Sequence, residues 1–195
     1  MARKPVMMRV MVIAHGKSEC VMCGSIGSNL RIKQEIVAKD KGRSSIQVTG
    51  LMHNHLNRYP FASKKEFQNV YDEVTFVKGK PKNFKLFPIM DVDDCSAQQR
   101  EDYINKTMFK DHWLYDYIYP IYSDPNLEMT MKESGIIIKK KSDYSKEFKI
   151  NEGGLDIKKV KDLLTKLQAC QCSNLHLYLE YCLQIANEQL VRENR

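Results

Sequence analysis

Leu86-Phe87-Pro88-Ile89-Met90 runs directly into Asp91-Val92-Asp93-Asp94. A short, bulky apolar run that stops at a carboxylate cluster is the pattern of a buried strand whose carboxyl end opens onto a site in an α/β sheet. Side chains alternate along an extended segment, so Asp91 and Asp93 are expected to face the same way. Two such carboxylates repel unless a cation or a basic group neutralises them, and Mg²⁺ or Mn²⁺ suits oxygen donors. Asp94 is either a third ligand or a helix cap. The plainer reading is an acidic turn that caps the next helix through Asp94 or Ser96. Pro88 argues against a central strand position, because it has no N–H to give to a ladder. The acidic end of the run outweighs that objection.

Working outward, Val6 to Ala14 is a second apolar run, and it ends at His15-Gly16-Lys17-Ser18-Glu19. It reads as strand, tight turn, then helix, with Ser18 as N-cap and the helix spanning Glu19 to Ser28. His15 has the chemistry of a metal ligand or of an acid–base group. Lys17 suits phosphate, and Glu19 would complete a carboxylate set. A capped helix with a solvated Lys and Glu explains the same residues without a site. The segment is not a Walker motif, since the long glycine-rich lead-in is missing.

The remaining pattern alternates strand with helix. A strand is expected over Arg31 to Ala38, and a helix over Ile46 to Asn57. A Ser96-capped helix should run to about Met108, with a strand at Tyr117 to Ile121 and a short helix from Asp124 or Asn126 to Lys132. Residues 142–154 read as surface loop, and Asp156 to Gln168 and Asn174 to Leu190 as the clearest helices. This order implies an α/β fold with a mainly parallel central sheet flanked by helices. One domain over residues 1–195 is expected, with its core at about 6–135 and a helical C-terminal segment at about 155–192. The apolar last helix could pair with a second copy or with a partner protein.

A net charge of +7 favours polyanions such as nucleic acid, RNA or DNA alike. Arg43, Lys82, Lys139, Lys140 and Lys141 fall in polar loops suited to a phosphate backbone. Tyr115, Tyr117 and Tyr119 have the chemistry to stack on unpaired bases, while Trp113 reads as core. Cys20-Val-Met-Cys23 has zinc-like spacing but no matching second pair, because Cys170-Gln-Cys172 is spaced by one residue. All six cysteines are therefore expected as free thiols. No stretch is apolar enough for a membrane span and no secretory signal is visible, which points to the cytoplasm.

Taken in order, the Gly-Lys-Ser-Glu loop after a first strand and the Asp-x-Asp after a later one resemble the Toprim domain. That fold is shared by topoisomerases, primases and the OLD-type and RloB-like nucleases of phage defence. Ser123-Asp124-Pro125-Asn126-Leu127-Glu128 is similar to a third patch of the RloB-like group. The resemblance implies metal-dependent cleavage of phosphodiester bonds, with RNA or tRNA among the substrates. It makes Asp91 and Asp93 metal ligands and Glu128 a supporting residue. The family's first-loop glutamate is replaced by His15, for which Glu19 would have to compensate. The alternative is a non-catalytic Toprim-like module that binds nucleic acid or a nucleotide as a subunit of a larger complex.

Overall fold

The computed structural model describes residues 7–150 and 155–193, apart from the side chains of Lys141 and Glu193. Its first unit is β1 (Val10–Ala14), α1 (Lys17–Asn29) and β2 (Gln34–Val37). Next come α2 (Val48–Gly50, continuing as a π-helical turn over Leu51–Leu56), α3 (Lys64–Val70), and a ribbon of β3 (Phe76–Val77) and β4 (Lys80–Pro81). β5 (Lys85–Asp91), α4 (Ala97–Ile104), β6 (Ile121–Ser123) and α5 (Leu127–Glu133) follow. The chain closes with α6 (Tyr144–Glu147), α7 (Ile157–Gln168) and α8 (His176–Glu193).

The main sheet has the order β2-β1-β5-β6, and every pairing in it is parallel. Alternation sorts its side chains into two cores. Val10, Val12, Ala14, Phe87 and Ile89 face a core shared with α1, α5, α6, α7 and α8. Met11, Ile13, Leu86 and Met90 face the other, shared with α2, α3 and α4. The expected mainly parallel sheet between helices is therefore present.

β1 and β5 are neighbours. The chain leaves β1 through α1 on one face and leaves β5 through α4 on the other. A crevice opens at the carboxyl ends of two strands whose connections part in this way, and open α/β sheets bind ligands there.

Pro88 does occupy a central strand, and its neighbourhood shows why that is tolerated. The β5–β6 ladder is broken between the Leu86–Ile118 bridge and the Ile89–Ile121 pair. The missing N–H falls within this gap. The buried Tyr103 hydroxyl sits between the Pro88 carbonyl, at 2.8 Å, and the Ile121 carbonyl, at 2.9 Å. A side-chain donor thus serves where a ladder bond would otherwise be.

Several boundaries differ from the pattern-based expectation. α1 starts at Lys17 with Gly16 as its N-cap residue, not Ser18, because the Glu19 carboxylate folds back to accept the Gly16 N–H at 2.8 Å. Residues Tyr115–Tyr117 form a 3₁₀ turn, so the strand begins only at Ile121. Residues 142–150 are not simply surface loop: α6 inserts Tyr144, which is 1% exposed, into the first core. Residues 151–154 lie outside the described residues. α8 spends its apolar side on the molecule's own core through Tyr178, Leu179, Cys182, Ile185 and Ala186, and leaves Leu177 and Val191 exposed. No helix among the described residues is long and apolar enough to cross a membrane.

Candidate functional site

The carboxyl edge of β1 and β5 brings together side chains from five elements or their ends. His15 follows β1 directly, and Glu19 lies in the first turn of α1. Asp91 ends β5, with Asp93 and Asp94 in the turn after it. Glu128 lies in the first turn of α5, and Tyr144 comes from α6.

Asp91 is the best-anchored member. Its Oδ1 accepts the backbone N–H of Leu127 at 2.9 Å, so its orientation is fixed by the amino end of α5. Its Oδ2 lies 3.8 Å from His15 Nε2. His15 is held by its own backbone, which donates to Ile89 O at 2.9 Å and accepts from Ile46 N at 2.8 Å. The main chain at His15 is therefore stitched between β5 and the entry to α2.

Glu19 is buried behind this pair. Burial, and then the charge of Asp91, push its carboxyl up to about 7, against the pull of backbone N–H groups and of His15. Near neutral pH it sits between its two protonation states. Asp94 is also pushed up by burial, with His15 opposing that shift. Neither of its oxygens makes a hydrogen bond of full geometry among the described residues, although the backbone N–H groups of Asp94 and Val48 are near enough to oppose the shift.

Asp93 departs from the alternation argument. β5 ends at Asp91, and the Val92 N–H turns to the carbonyls of Ser123 and Pro125, at 3.2 and 3.1 Å. Period two stops there. Asp93 is exposed, with its Oδ2 taking the Asn126 Nδ2 donor at 3.3 Å, while Asp94 turns inward towards His15. Among the described residues, no three ligand atoms of this edge lie within 4.8 Å of one another.

Tyr144 is the residue that pattern reading misses. Its hydroxyl is buried without a partner among the described residues. Burial raises its pKa first, followed by the charges of Glu128, Glu19 and Asp91, so it lies within electrostatic reach of three acids of the site. The available signal is Tyr144 and Phe148 four residues apart, a helical pair whose rings stack at 5.9 Å.

His15 Nδ1, both oxygens of Asp94 and the Tyr144 hydroxyl thus form a set of buried polar atoms without partners among the described residues. Such atoms are rare singly and costly, and several at one strand edge need an explanation. The unsatisfied carboxylate oxygens and the all-oxygen acids around them fit a hard divalent cation.

The flanking basic residues divide by sheet edge. Arg43 is exposed after the 3₁₀ turn Lys39–Gly42, which packs on the start of α1, and Lys17 is exposed in the first turn of that helix. Lys139 and Lys140 are exposed just ahead of Tyr144. The Lys141 side chain lies outside the described residues. Lys82 is at the wrong end: it precedes β5, so the full strand separates it from Asp91. Tyr119 is also at that far edge, its N–H bonded to Leu86 O, with Lys85 over its ring at 4.0 Å. Lys106 lies 4.4 Å from the centre of the Tyr115 ring. Trp113 is half-buried and donates its Nε1–H to Phe61 O at 2.7 Å. These aromatics do not line the acidic edge. A polar pocket of about 250 Å³ does adjoin it, with Lys39, Ser45, Gln47, Asn54 and His55 in its wall.

A separate cluster has metal-ligand geometry. Glu133, at the last turn of α5, Cys170 and Cys172 bring their ligand atoms within 4.8 Å of one another. Sequence spacing could not have found it, because the carboxylate comes from another element 37 residues before Cys170. Comparison with protein-family models, with curated proteins and with solved structures gives no match.

Proposed function

We propose that this chain is a divalent-cation-dependent nuclease of Toprim-like type, acting at the carboxyl edge of β1 and β5. The observation that carries the reading is the meeting of His15 and Asp91, Nε2 to Oδ2 at 3.8 Å, at the sheet's switch point beside the buried Glu19 and the half-buried Asp94. Asp91, Asp94 and Glu19 would hold Mg²⁺ or Mn²⁺ after their side chains draw together from their more open arrangement, with Asp93 reachable from the solvent side. When bound, the cation neutralises charge on a phosphoryl group and lowers the pKa of a coordinated water.

The chain's own residues supply the rest. Asp91 Oδ2 faces His15 Nε2 at 3.8 Å, and Nδ1 is left without a partner among the described residues, so the ring has a nitrogen to offer a substrate or a water. Glu19, whose carboxyl is pushed up to about 7 by burial and by Asp91, would give up its proton when it joins the cation. Lys17, Arg43, Lys139 and Lys140 would hold the substrate's phosphates without reading sequence. Glu128 and Tyr144 close the side opposite α2 and limit water access. RNA, tRNA included, and DNA are both accepted by this chemistry, and a defence role follows only from the RloB-like resemblance.

One observation favours a binding module instead. The first-loop position carries His15, which brings no negative charge in its neutral form, and Glu19 is already engaged by the Gly16 N–H. End-labelled RNA and DNA incubated with Mn²⁺, Mg²⁺ or chelator separate the two readings. Cleavage that requires the cation and disappears in Asp91→Ala and Asp94→Ala supports the nuclease. Tight binding with no cleavage in any metal supports the module.

A further inference from the structure

We propose that Cys170, Cys172 and Glu133 form a thiolate site for a borderline-soft cation of the Zn²⁺ class, distinct from the hard-cation site at the strand ends. The two sulfurs are 3.3 Å apart, and Cys170 Sγ is 4.0 Å from Glu133 Oε2. Zinc bonds of about 2.3 Å to sulfur and about 2.0 Å to oxygen, at tetrahedral angles, require edges of roughly 3.8 and 3.5 Å. Shifts of about half an ångström bring these two edges to such values, and the third, from Cys172 to Glu133, is no longer than 4.8 Å. Cys170 is buried, Cys172 half-buried and Glu133 exposed. Three protein ligands therefore close the inner side, and the fourth position faces solvent, where water or an added ligand completes it. Binding releases the two thiol protons to the buffer.

The location gives the site a consequence. Ser173, next to Cys172, pairs with Ser123 of β6, and Ser123 pairs with Asp91 of β5. Asp124 N donates to Cys172 O at 2.8 Å. The thiolate site thus ties the 170–174 segment and the end of α5 to β6. The other end of α5 holds Asp91 through Leu127. Occupancy would fix the helix on which the catalytic carboxylate depends.

A disulfide is the competing use of two close thiols. It needs the sulfurs to close to about 2.0 Å and a thiol oxidant to accept two electrons and two protons, and it gives Glu133 no part. The carboxylate at the third corner decides for the cation.

The test uses the full-length, reduced chain and Co²⁺ as the probe, followed by Zn²⁺ competition. One equivalent of Co²⁺ should produce a thiolate-to-metal charge-transfer absorption, displaced by Zn²⁺. Cys170→Ser and Cys172→Ser should each weaken binding by about 100-fold or more, and Glu133→Gln by about 10-fold. Glu133 is exposed, so that variant keeps the fold even where a cysteine variant does not. Absence of the band, its survival in the Cys170→Ser/Cys172→Ser double variant, or unchanged affinity in Glu133→Gln overturns the site. So does a chain purified without added oxidant whose mass shows a Cys170–Cys172 disulfide. None of these outcomes decides the nuclease reading, which is tested separately with Mg²⁺ and the Asp91 variants.

Discussion

The Asp91 carboxylate accepts the Leu127 backbone N–H at 2.9 Å, which makes the amino end of α5 part of the acidic site. Asp91 therefore serves structure and chemistry through different features of one side chain: an acceptor oxygen and a negative charge. Asp91→Asn keeps the acceptor and removes the charge. Its thermal stability should stay within about 1 kcal/mol of the parent while cation-dependent cleavage falls by about 100-fold or more. Asp91→Ala removes both, and leaving the buried Leu127 N–H unsatisfied should cost a further 1–3 kcal/mol or so. Urea melts of both variants, alongside a cleavage assay, separate the two roles.

Glu19 sets a pH dependence of stability. Its usual value of 4.5 applies in the unfolded chain and about 7 in the folded one. Below pH 4.5 the carboxyl is protonated in both states and costs nothing. Between 4.5 and 7 the unfolded chain gives up the proton and the folded chain keeps it, so stability falls as pH rises. The loss, on the order of 3 kcal/mol, is complete above pH 7. Denaturant midpoints measured in chelator from pH 4.5 to 8 should show this decline. Glu19→Gln should flatten it, and saturating Mg²⁺ should reduce it by offsetting the charge. A wild-type profile that rises over this interval would contradict the burial of Glu19.

The parallel sheet and its acidic edge are legible in the sequence because the features that encode them are local. A bulky run ending in Asp91 and another ending in His15 each specify a buried strand and its exit. What cannot be read are decisions made by distant residues. Pro88 looks unfit for a central strand because the compensating donor, Tyr103, is 15 residues away. Asp93 reads as facing with Asp91 because a bend at Val92, held by the carbonyls of Ser123 and Pro125, has no signature in Asp-Val-Asp-Asp. Tyr144 is hidden in a charged segment whose four-residue helix is held by tertiary packing, not by propensity.

Gly42 has a backbone role that another residue would not fill. Its φ is +82°, and a Cβ there would meet the Lys17 Cα at 3.1 Å and the Lys17 N at 3.2 Å. Both atoms belong to the first turn of α1, so they cannot move without shifting Gly16 and Glu19. Gly42→Ala should cost about 1–3 kcal/mol from the left-handed conformation and the steric clash together. If the basic turn and the acidic edge form one site, the same variant should also lose cleavage beyond what its unfolded fraction explains. Activity measured well below the melting transition tests that.

The two edges of the sheet offer an internal control for nucleic-acid binding. Lys82 and Arg43 are both exposed, and both look equally suited to phosphate in the sequence. Arg43 follows β2 at the carboxyl edge, whereas Lys82 precedes β5. Seven residues of strand put roughly 20 Å between Lys82 and the site. Removing one side chain that neutralises a phosphate at the site should reduce the magnitude of the logarithmic salt slope by about one. Arg43→Ala, and Lys139→Ala with Lys140→Ala, should therefore weaken binding several-fold at low salt and flatten the slope. Lys82→Ala should leave the affinity and slope for a short oligonucleotide unchanged. A duplex of more than about 20 Å could span both edges, and only there should Lys82 contribute. Titrations of short and long ligands at several salt concentrations distinguish a bound phosphate backbone at the acidic edge from diffuse attraction to a basic protein, because diffuse attraction would respond equally to charge removal at either edge.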